Sequence, residues 1–472
     1  MDIFSKTSDF NTTVGELFAW HEREGALERL IPPWDPLFVV YRKGGIAPGG
    51  SALLKITAGP VPVYWHAEHT ELLKNHMFRD VQVKGPFAKW VHTHSFAPVK
   101  TPFEKPGNED NAAVSRMTDQ IEYALPAPPF GKLALGGFVS DKLRRTFIHR
   151  HETLAWDLSL HRDIAKGEKL KIVISGGSGV LGNVLVAFLT TGGHEVIRLV
   201  RREPSENSGP GKEAYWNPYK KEIDQEAVKG ADAFIHLSGD HIGEGRWTAE
   251  KKKRIIDSRT LTTSFIAEVA ANAEPRPRVF ITASAIGYYG NRCEENMTEA
   301  CVAGEDFISN VCTLWEDSAC AALAGGVRTA TMRIGIALTP KGGALERLLG
   351  AFQAGLGGVI GSGNQVMSWI GIDDVVGAIY KTIFDDNLMG PINTVAPNPV
   401  TNREMTRALS QTLNRPAPFT IPEWAIKLAF GEMGVETVLS STSVFPEKLI
   451  KAGYRFRHPH IGGALAYLLG RY

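Results

Sequence analysis

From residue 169 onward, short unbroken apolar runs alternate with stretches whose apolar residues recur every three or four positions. The runs are residues 170–175, 195–200, 231–237, 278–283 and 329–338. A strand that is apolar at every position is covered on both faces, so this alternation predicts a parallel sheet flanked by helices. Residues 1–165 show a different pattern. A helical stretch over 14–30 ends ahead of Pro32 and Pro33. Strand-like stretches come next at 51–57, 61–73, 76–84, 89–97 and, beyond a polar loop around 106–111, at 116–125. Residues 139–164 then place Leu143, Phe147, Leu154 and Leu158 on one face at helical spacing. That order predicts an α+β unit in which a curved antiparallel sheet wraps a long final helix. A short polar linker at 163–169 separates it from the second unit.

A chain of 472 residues exceeds a single core, and at roughly 100 to 200 residues per domain it should hold two or three units. With 43% hydrophobic and 22% charged residues and a net charge of +1, it carries no broad field for polyanions, which argues against nucleic acid as a partner. No apolar run approaches the roughly 20 residues that span a bilayer. The start, MDIFSKTSDF, does not read as a secretory signal. Cys293, Cys301, Cys312 and Cys320 match neither a zinc motif nor a CxxC pair, so reduced thiols and a cytoplasmic location are expected. Nine of the 14 histidines lie in the first unit. His92 and His94 share one face of a strand and could ligate a metal, but no carboxylate or third histidine stands at a recognisable spacing. They read as histidines hydrogen-bonded at the sheet surface, with no metal.

The run 170–175 leads straight into Gly176-Gly177-Ser178-Gly179-Val180-Leu181-Gly182 and then a helix with Leu181, Leu185 and Phe188 on its buried side. A pyrophosphate requires close approach to backbone N–H groups at the positive end of a helix, where side chains would obstruct it. Glycines at 176, 179 and 182, in a strand-turn-helix context with a second strand after it, meet that need. The second strand ends in Arg201-Arg202, where sites that prefer NAD carry an acidic residue for the ribose hydroxyls. A guanidinium there can pair with the 2′-phosphate, so the sequence favours NADP.

GGSGVLG, FIHLSGD, RWTAEKKKRIIDSR, TASAIGYYG, LWEDSA, RIGIAL and MSWIGIDDV stand in an order that resembles extended short-chain dehydrogenases/reductases. The likeness is to their atypical epimerase-like branch, labelled nucleoside-diphosphate-sugar epimerase or cell-division-inhibitor-like, in the NAD-dependent epimerase/dehydratase family. It implies a Rossmann-type doubly wound α/β domain over residues 169–395 and a small C-terminal α+β domain over 396–472. Residues 1–165, with TDQIEYALP and FIHRHETLAWDL, resemble the helix-grip superfamily of START-like carriers and polyketide cyclases. That likeness implies an apolar pocket for a hydrophobic ligand, or a filled core that serves only for docking. The short-chain likeness further implies cofactor contacts at Gly176, Ser178, Gly179, Val180, Leu181, Gly182 and Arg201, then at Leu237, Ser238, Gly239 and Arg259.

The expected Tyr-x-x-x-Lys pair is missing. Counting back from Glu316 puts Ile308 at the tyrosine position and Cys312 at the lysine position. The position expected to hold the substrate-orienting serine carries Ala285, with Ser284 one residue earlier. Hydride transfer still requires a proton donor, and Tyr288 or Tyr289, after the fifth strand, could protonate an alkoxide or pack on the nicotinamide. Residues 341–368 read as a mobile glycine-rich loop, and Asp373 and Asp374 as a helix N-terminus. Two readings result: an NADP(H)-dependent oxidoreductase or epimerase-like enzyme on a hydrophobic or nucleotide-sugar-like small molecule, or a non-catalytic NADP(H) sensor.

Overall fold

The computed structural model describes residues 1–57, 61–99, 114–126, 130–205 and 209–472, without the side chains of 130–134 and 293–294. The loop expected at 106–111 and the Cys293 thiol therefore lie outside the described residues.

The N-terminal unit is dominated by a sheet. Strands β1 (Asp2–Phe10), β2 (Leu37–Lys43), β3 (Ser51–Ile56), β4 (Val63–Leu73), β5 (Met77–Lys84), β6 (Lys89–Pro98) and β7 (Ser115–Ala124) form one antiparallel sheet in the order β1-β7-β6-β5-β4-β3-β2. The five expected strands appear within a residue or two. The two that sequence reasoning missed, β1 and β2, are the edges. The helical stretch expected over 14–30 is broken into α1 (Val14–Glu22) and α2 (Ala26–Leu30). Gly25 between them has φ +86°, and a Cβ there would stand 2.5 Å from the Ala187 carbonyl oxygen, so only glycine allows this approach. After β7 comes α3 (Phe130–Leu160), extended by one wide turn to Ala165. Leu143, Phe147, Leu154 and Leu158 are buried against the sheet as their spacing predicts.

In the second unit, β8 (Lys171–Ser175), α4 (Val180–Thr191), β9 (Glu195–Val200), β10 (Lys212–Asn217), β11 (Glu222–Ile223), α5 (Gln225–Val228), β12 (Ala233–His236), α6 (Ala249–Ala271) and β13 (Val279–Ala285) come in turn. With Thr329–Ile334 and Gly390–Thr394 these strands form an eight-stranded sheet, parallel except at β11, in the order β11-β10-β9-β8-β12-β13 and then the last two. Strand order reverses beside β8. The crevice beyond the carboxyl ends of β8 and β12 is where such sheets take ligands.

The C-terminal residues do not form a detached lobe. Phe419–Ile421 pairs with Gly358–Ile360, and Thr442–Val444 pairs with Arg292–Met297, so earlier insertions supply half of each small sheet. The stretch expected as a mobile loop, 341–368, is a correction: it contains the helix Gly343–Gln353, anchored by Arg347 Nη1, which donates 2.7 Å to the Gly243 carbonyl. Apart from Gly343 at its start and Gly350 within it, the glycines of this stretch lie outside the helix. Asp373 and Asp374 do open a helix, Ile372–Phe384, but their carboxylates face inward. Arg29 binds Asp157 in bidentate fashion at 2.6 and 2.8 Å and reaches Asp373 at 2.9 Å, joining α2, α3 and the second unit through buried charges. Arg457 completes the cluster at 3.1 Å from Asp373.

Candidate functional site

The glycine turn lines one wall of a cleft of about 1080 Å³. Gly176 adopts φ +76°, and a Cβ there would lie 2.7 Å from the carbonyl carbon of Leu237. A side chain at Gly182 would strike the Gly176 carbonyl oxygen at 2.1 Å. The turn is therefore a cradle that Cβ atoms would fill. Gly179 caps α4, and the first-turn N–H groups of that helix are left without intrahelical acceptors at the mouth of the cleft. Such a surface fits a pyrophosphate.

Most residues expected to hold the cofactor come together here. Gly176, Ser178, Gly179, Arg201, Leu237, Ser238 and Gly239 all line the cleft. Val180 is exposed at the start of α4, whereas Leu181 packs beneath the turn with the core and Gly182 is buried. Arg259 stands behind Gly239, with its guanidinium carbon 3.4 Å from where a Cβ would be, and donates to the carbonyls of Ile255 and Asp240. It supports the wall from inside.

The two arginines after β9 differ sharply. Arg202 Nη2 donates 2.7 Å to Glu213, a carboxylate buried beneath the strand ends. Arg201 is exposed, lines the cleft and has no hydrogen bond or ion pair with any described residue. Trp216, Pro218 and Tyr219 also line the cleft and were not expected from the sequence. Behind the cleft, His236 bridges Ser175 Oγ at 2.6 Å and Thr262 Oγ1 at 3.1 Å, and burial pushes its ring down to about 3.

At the carboxyl end of β13, the residues expected to carry the chemistry fall into a buried chain. Ser284 Oγ donates 2.7 Å to Glu316, which takes two 2.8 Å bonds from Arg333. Arg333 donates 3.0 Å to Tyr289 Oη, which itself donates 2.6 Å to Asn393. Tyr289 is fully buried, and burial raises its phenol to about 12 despite Arg333. Tyr288 is half-buried, with the Arg333 guanidinium 3.4 Å from its ring centroid and no hydrogen bond from its hydroxyl to a described residue. Ile308 and Cys312 sit on the helix Phe307–Asp317; Ile308 packs on Gly287, where a Cβ would meet it at 2.2 Å. Burial, with Glu316 nearby, raises the Cys312 thiol to about 12, which leaves it un-ionised. Arg333 and Asn393 were missed in the sequence. An arginine inside the apolar run of 329–338 was the available signal, because a buried guanidinium requires a carboxylate.

The histidine pair of the first unit is a correction. His92 and His94 are buried, not at the sheet surface, and two carboxylates reach them from neighbouring strands: Asp80 at 3.2 Å from His92, and Asp119 at 3.0 Å from His92 and 2.6 Å from His94. Strand pairing, not sequence spacing, assembles the group.

A model of the NAD dependent epimerase/dehydratase family matches residues 172–390, and one of a domain of unknown function (DUF1731) matches 421–468. An epimerase family protein of Mycobacterium bovis is 39% identical over 300 residues, which are 64% of this chain and 98% of that protein. The chain belongs to the NAD dependent epimerase/dehydratase family. Human epimerase family protein SDR39U1 is 32% identical over 63% of this chain and 98% of its own length. A crystal structure of that human protein with NADPH aligns with a TM-score of 0.57 and 27% identity, covering 64% of this chain and all of the other. The nucleoside-diphosphate sugar epimerase from Corynebacterium glutamicum extends the likeness to both units. It aligns with a TM-score of 0.79 and 32% identity over 99% of this chain and 90% of that one. The nucleotide-binding Rossmann fold is thus a family property. Among the described residues no helix is long and apolar enough to cross a membrane.

Proposed function

We propose that this chain is an NADP(H)-dependent oxidoreductase or epimerase-like enzyme acting on a small molecule. The carrying observation is Arg201, an exposed guanidinium on the wall of the glycine-turn cleft that has no partner among the described residues. The NADPH in the human relative's structure supports the same preference. The bound nicotinamide supplies or accepts hydride. The chain's own residues cradle the pyrophosphate at Gly176, Gly179 and the start of α4, read the 2′-phosphate at Arg201, and supply a proton from Tyr288. Of the two tyrosines, Tyr288 alone has an uncommitted hydroxyl; Tyr289, with Ser284, Glu316 and Asn393, holds Arg333 against it. A nucleotide sugar is one substrate class suggested by the Corynebacterium relative.

A second reading, a non-catalytic NADP(H) sensor, is favoured by Ile308 and Cys312, which leave no phenol or amine at the usual positions. Single-turnover oxidation of bound NADPH against a panel of carbonyl compounds separates the two. Substrate-dependent loss of the reduced-nicotinamide signal that Tyr288→Phe abolishes establishes the enzyme. Tight binding without turnover across the panel establishes the sensor.

For the N-terminal unit we infer a helix-grip domain that holds or presents a ligand to this site. A seven-stranded antiparallel sheet packed on one long helix supports that assignment. The buried histidines and aspartates between sheet and helix favour a ligand with polar groups over a purely apolar one.

A further inference from the structure

Between the inner face of the N-terminal sheet and α3 lie two apolar clusters, one around Phe18, Phe78 and Leu154, the other around Trp90, Ile121 and Phe147. Packed between them are buried and half-buried titratable side chains that the nucleotide site does not use. We propose that three of them, Asp80, His92 and His94, form a binding site for a divalent transition-metal ion of the zinc type.

The strand register makes the site. Asp80 on β5 pairs directly with His92 on β6, and His94 lies two residues later on the same face. One ligand atom from each of the three lies within 4.8 Å of the other two, and Asp80 Oδ2 is already 3.2 Å from His92 Nδ1. Four-coordinate bonds of about 2.0–2.1 Å put ligand atoms roughly 3.3 Å apart, so small side-chain rotations close the remaining gap. Phe78 stacks on the His94 ring at 4.1 Å and limits its orientation.

The surroundings fit an ion as well as the ligands do. The far nitrogen of His92 faces Asp119 at 3.0 Å, the carboxylate–histidine arrangement that orients metal-bound imidazoles. Asp119 is fixed in turn by His151 Nε2 at 2.6 Å, and His151 by Ser8. His94 Nδ1 is buried without an aligned hydrogen-bond partner, although Asp119 stands 2.6 Å away. The half-buried Asp80 and the buried Asp119 bring two carboxylates to the imidazoles, and a divalent cation offsets the cost of holding that negative charge away from water. Nitrogen and oxygen donors suit zinc, cobalt or nickel and not a hard cation such as calcium. Three protein ligands leave a fourth position for water or a ligand atom inside the unit.

The test uses the full chain, stripped with a chelator and titrated with Co2+, then with Zn2+ as competitor. One equivalent of Co2+ with the strong visible bands of a four-coordinate site, displaced by Zn2+, is expected. His94→Gln and Asp80→Asn should each weaken binding at least about 100-fold, and Asp119→Asn, which orients a ligand, about 10- to 100-fold. NADPH titration and circular dichroism check that each variant is folded. X-ray absorption of the zinc-loaded wild type, which needs no variant, should show nitrogen and oxygen neighbours only. A sulfur shell near 2.3 Å would place the ion on the cysteines and overturn the proposal. So would the absence of a stoichiometric cobalt spectrum, or binding that both ligand replacements leave unchanged.

Discussion

Replacing Arg201 with glutamate tests the nucleotide site where its chemistry is most exposed. Arg201 has no described partner, so its removal breaks no contact among the described residues and its effect reports on the ligand. A hydrogen bond to a charged group contributes about 1.5–3 kcal/mol, which is roughly 10- to 150-fold in affinity at about 1.4 kcal/mol per decade. Solvent exposure and salt move the figure toward the lower end, and a glutamate adds repulsion to the loss. Neither neighbour can compensate well. Arg202 is held by Glu213 at 2.7 Å, and Arg254 lies 3.7 Å from Asp240. Titration monitored by reduced-nicotinamide fluorescence should therefore show NADPH weakened at least about tenfold and NADH changed by no more than about twofold. High salt should narrow the gap. Equal weakening of both nucleotides would mean that Arg201 does not read the 2′-phosphate, and the NADP assignment would fail with it.

Gly176→Ala should abolish nucleotide binding and lower stability by about 1–3 kcal/mol in urea unfolding, because φ is +76° and the new Cβ would press on the Leu237 backbone. Unchanged NADPH affinity would contradict the cradle. Tyr288→Phe should cut turnover about 100-fold or more with NADPH affinity preserved, whereas Tyr289→Phe should mainly lower stability, by about 1–3 kcal/mol, since it strips a partner from Asn393 and Arg333. The reverse pattern would exchange their roles. Arg29→Met should cost about 3–5 kcal/mol in chemical denaturation by leaving Asp157 buried without its cation and Asp373 with Arg457 alone, and a loss under 1 kcal/mol would show that the cluster does not hold the units together. His236 has its folded pKa pushed by burial to about 3, below the unfolded value of about 6.5, so the unfolded chain binds the extra proton between them. Its contribution is full above about pH 6.5 and falls by up to about 1.4 kcal/mol per unit below that. Nitrogen NMR of labelled histidine should find this ring neutral at pH 5, and a protonated ring would refute the assignment.

The parts of the fold that were legible are those where burial writes a period into the sequence. Apolar runs such as Val279–Ala285 and the helical spacing of Leu143, Phe147, Leu154 and Leu158 report the faces they bury. The edge strands were illegible for the same reason in reverse: β1 has alternate residues only half-covered, and β2 keeps Phe38, Val40 and Tyr41 exposed, so neither shows a core signature. The 341–368 stretch was misread because glycine content marks turns without saying how much helix lies between them. The nucleotide turn was legible because backbone geometry demands glycine at fixed spacing. The histidine cluster was not, since β5 and β6 pair in an antiparallel register that only the fold specifies.

The same distinction explains why the residues proposed for proton transfer were the least readable. In a Tyr-x-x-x-Lys site one helix carries both groups, so spacing alone identifies them. Here the corresponding helix offers Ile308 and Cys312, and the polar groups come from elements far apart in sequence: Ser284 and Tyr289 at the end of β13, Glu316 on the helix Phe307–Asp317, Arg333 on one strand and Asn393 on the next. The bonds in that chain are 2.6–3.0 Å long and hold Arg333 with its guanidinium 3.4 Å from the Tyr288 ring centroid. In the proposed mechanism Arg333, a cation held beside the Tyr288 ring, takes the place of the missing lysine without occupying its position. If that substitution is right, Glu316→Gln should disturb turnover through Arg333 while leaving the Gly176 cradle and NADPH affinity intact. A parallel loss of both would reduce the chain to scaffolding.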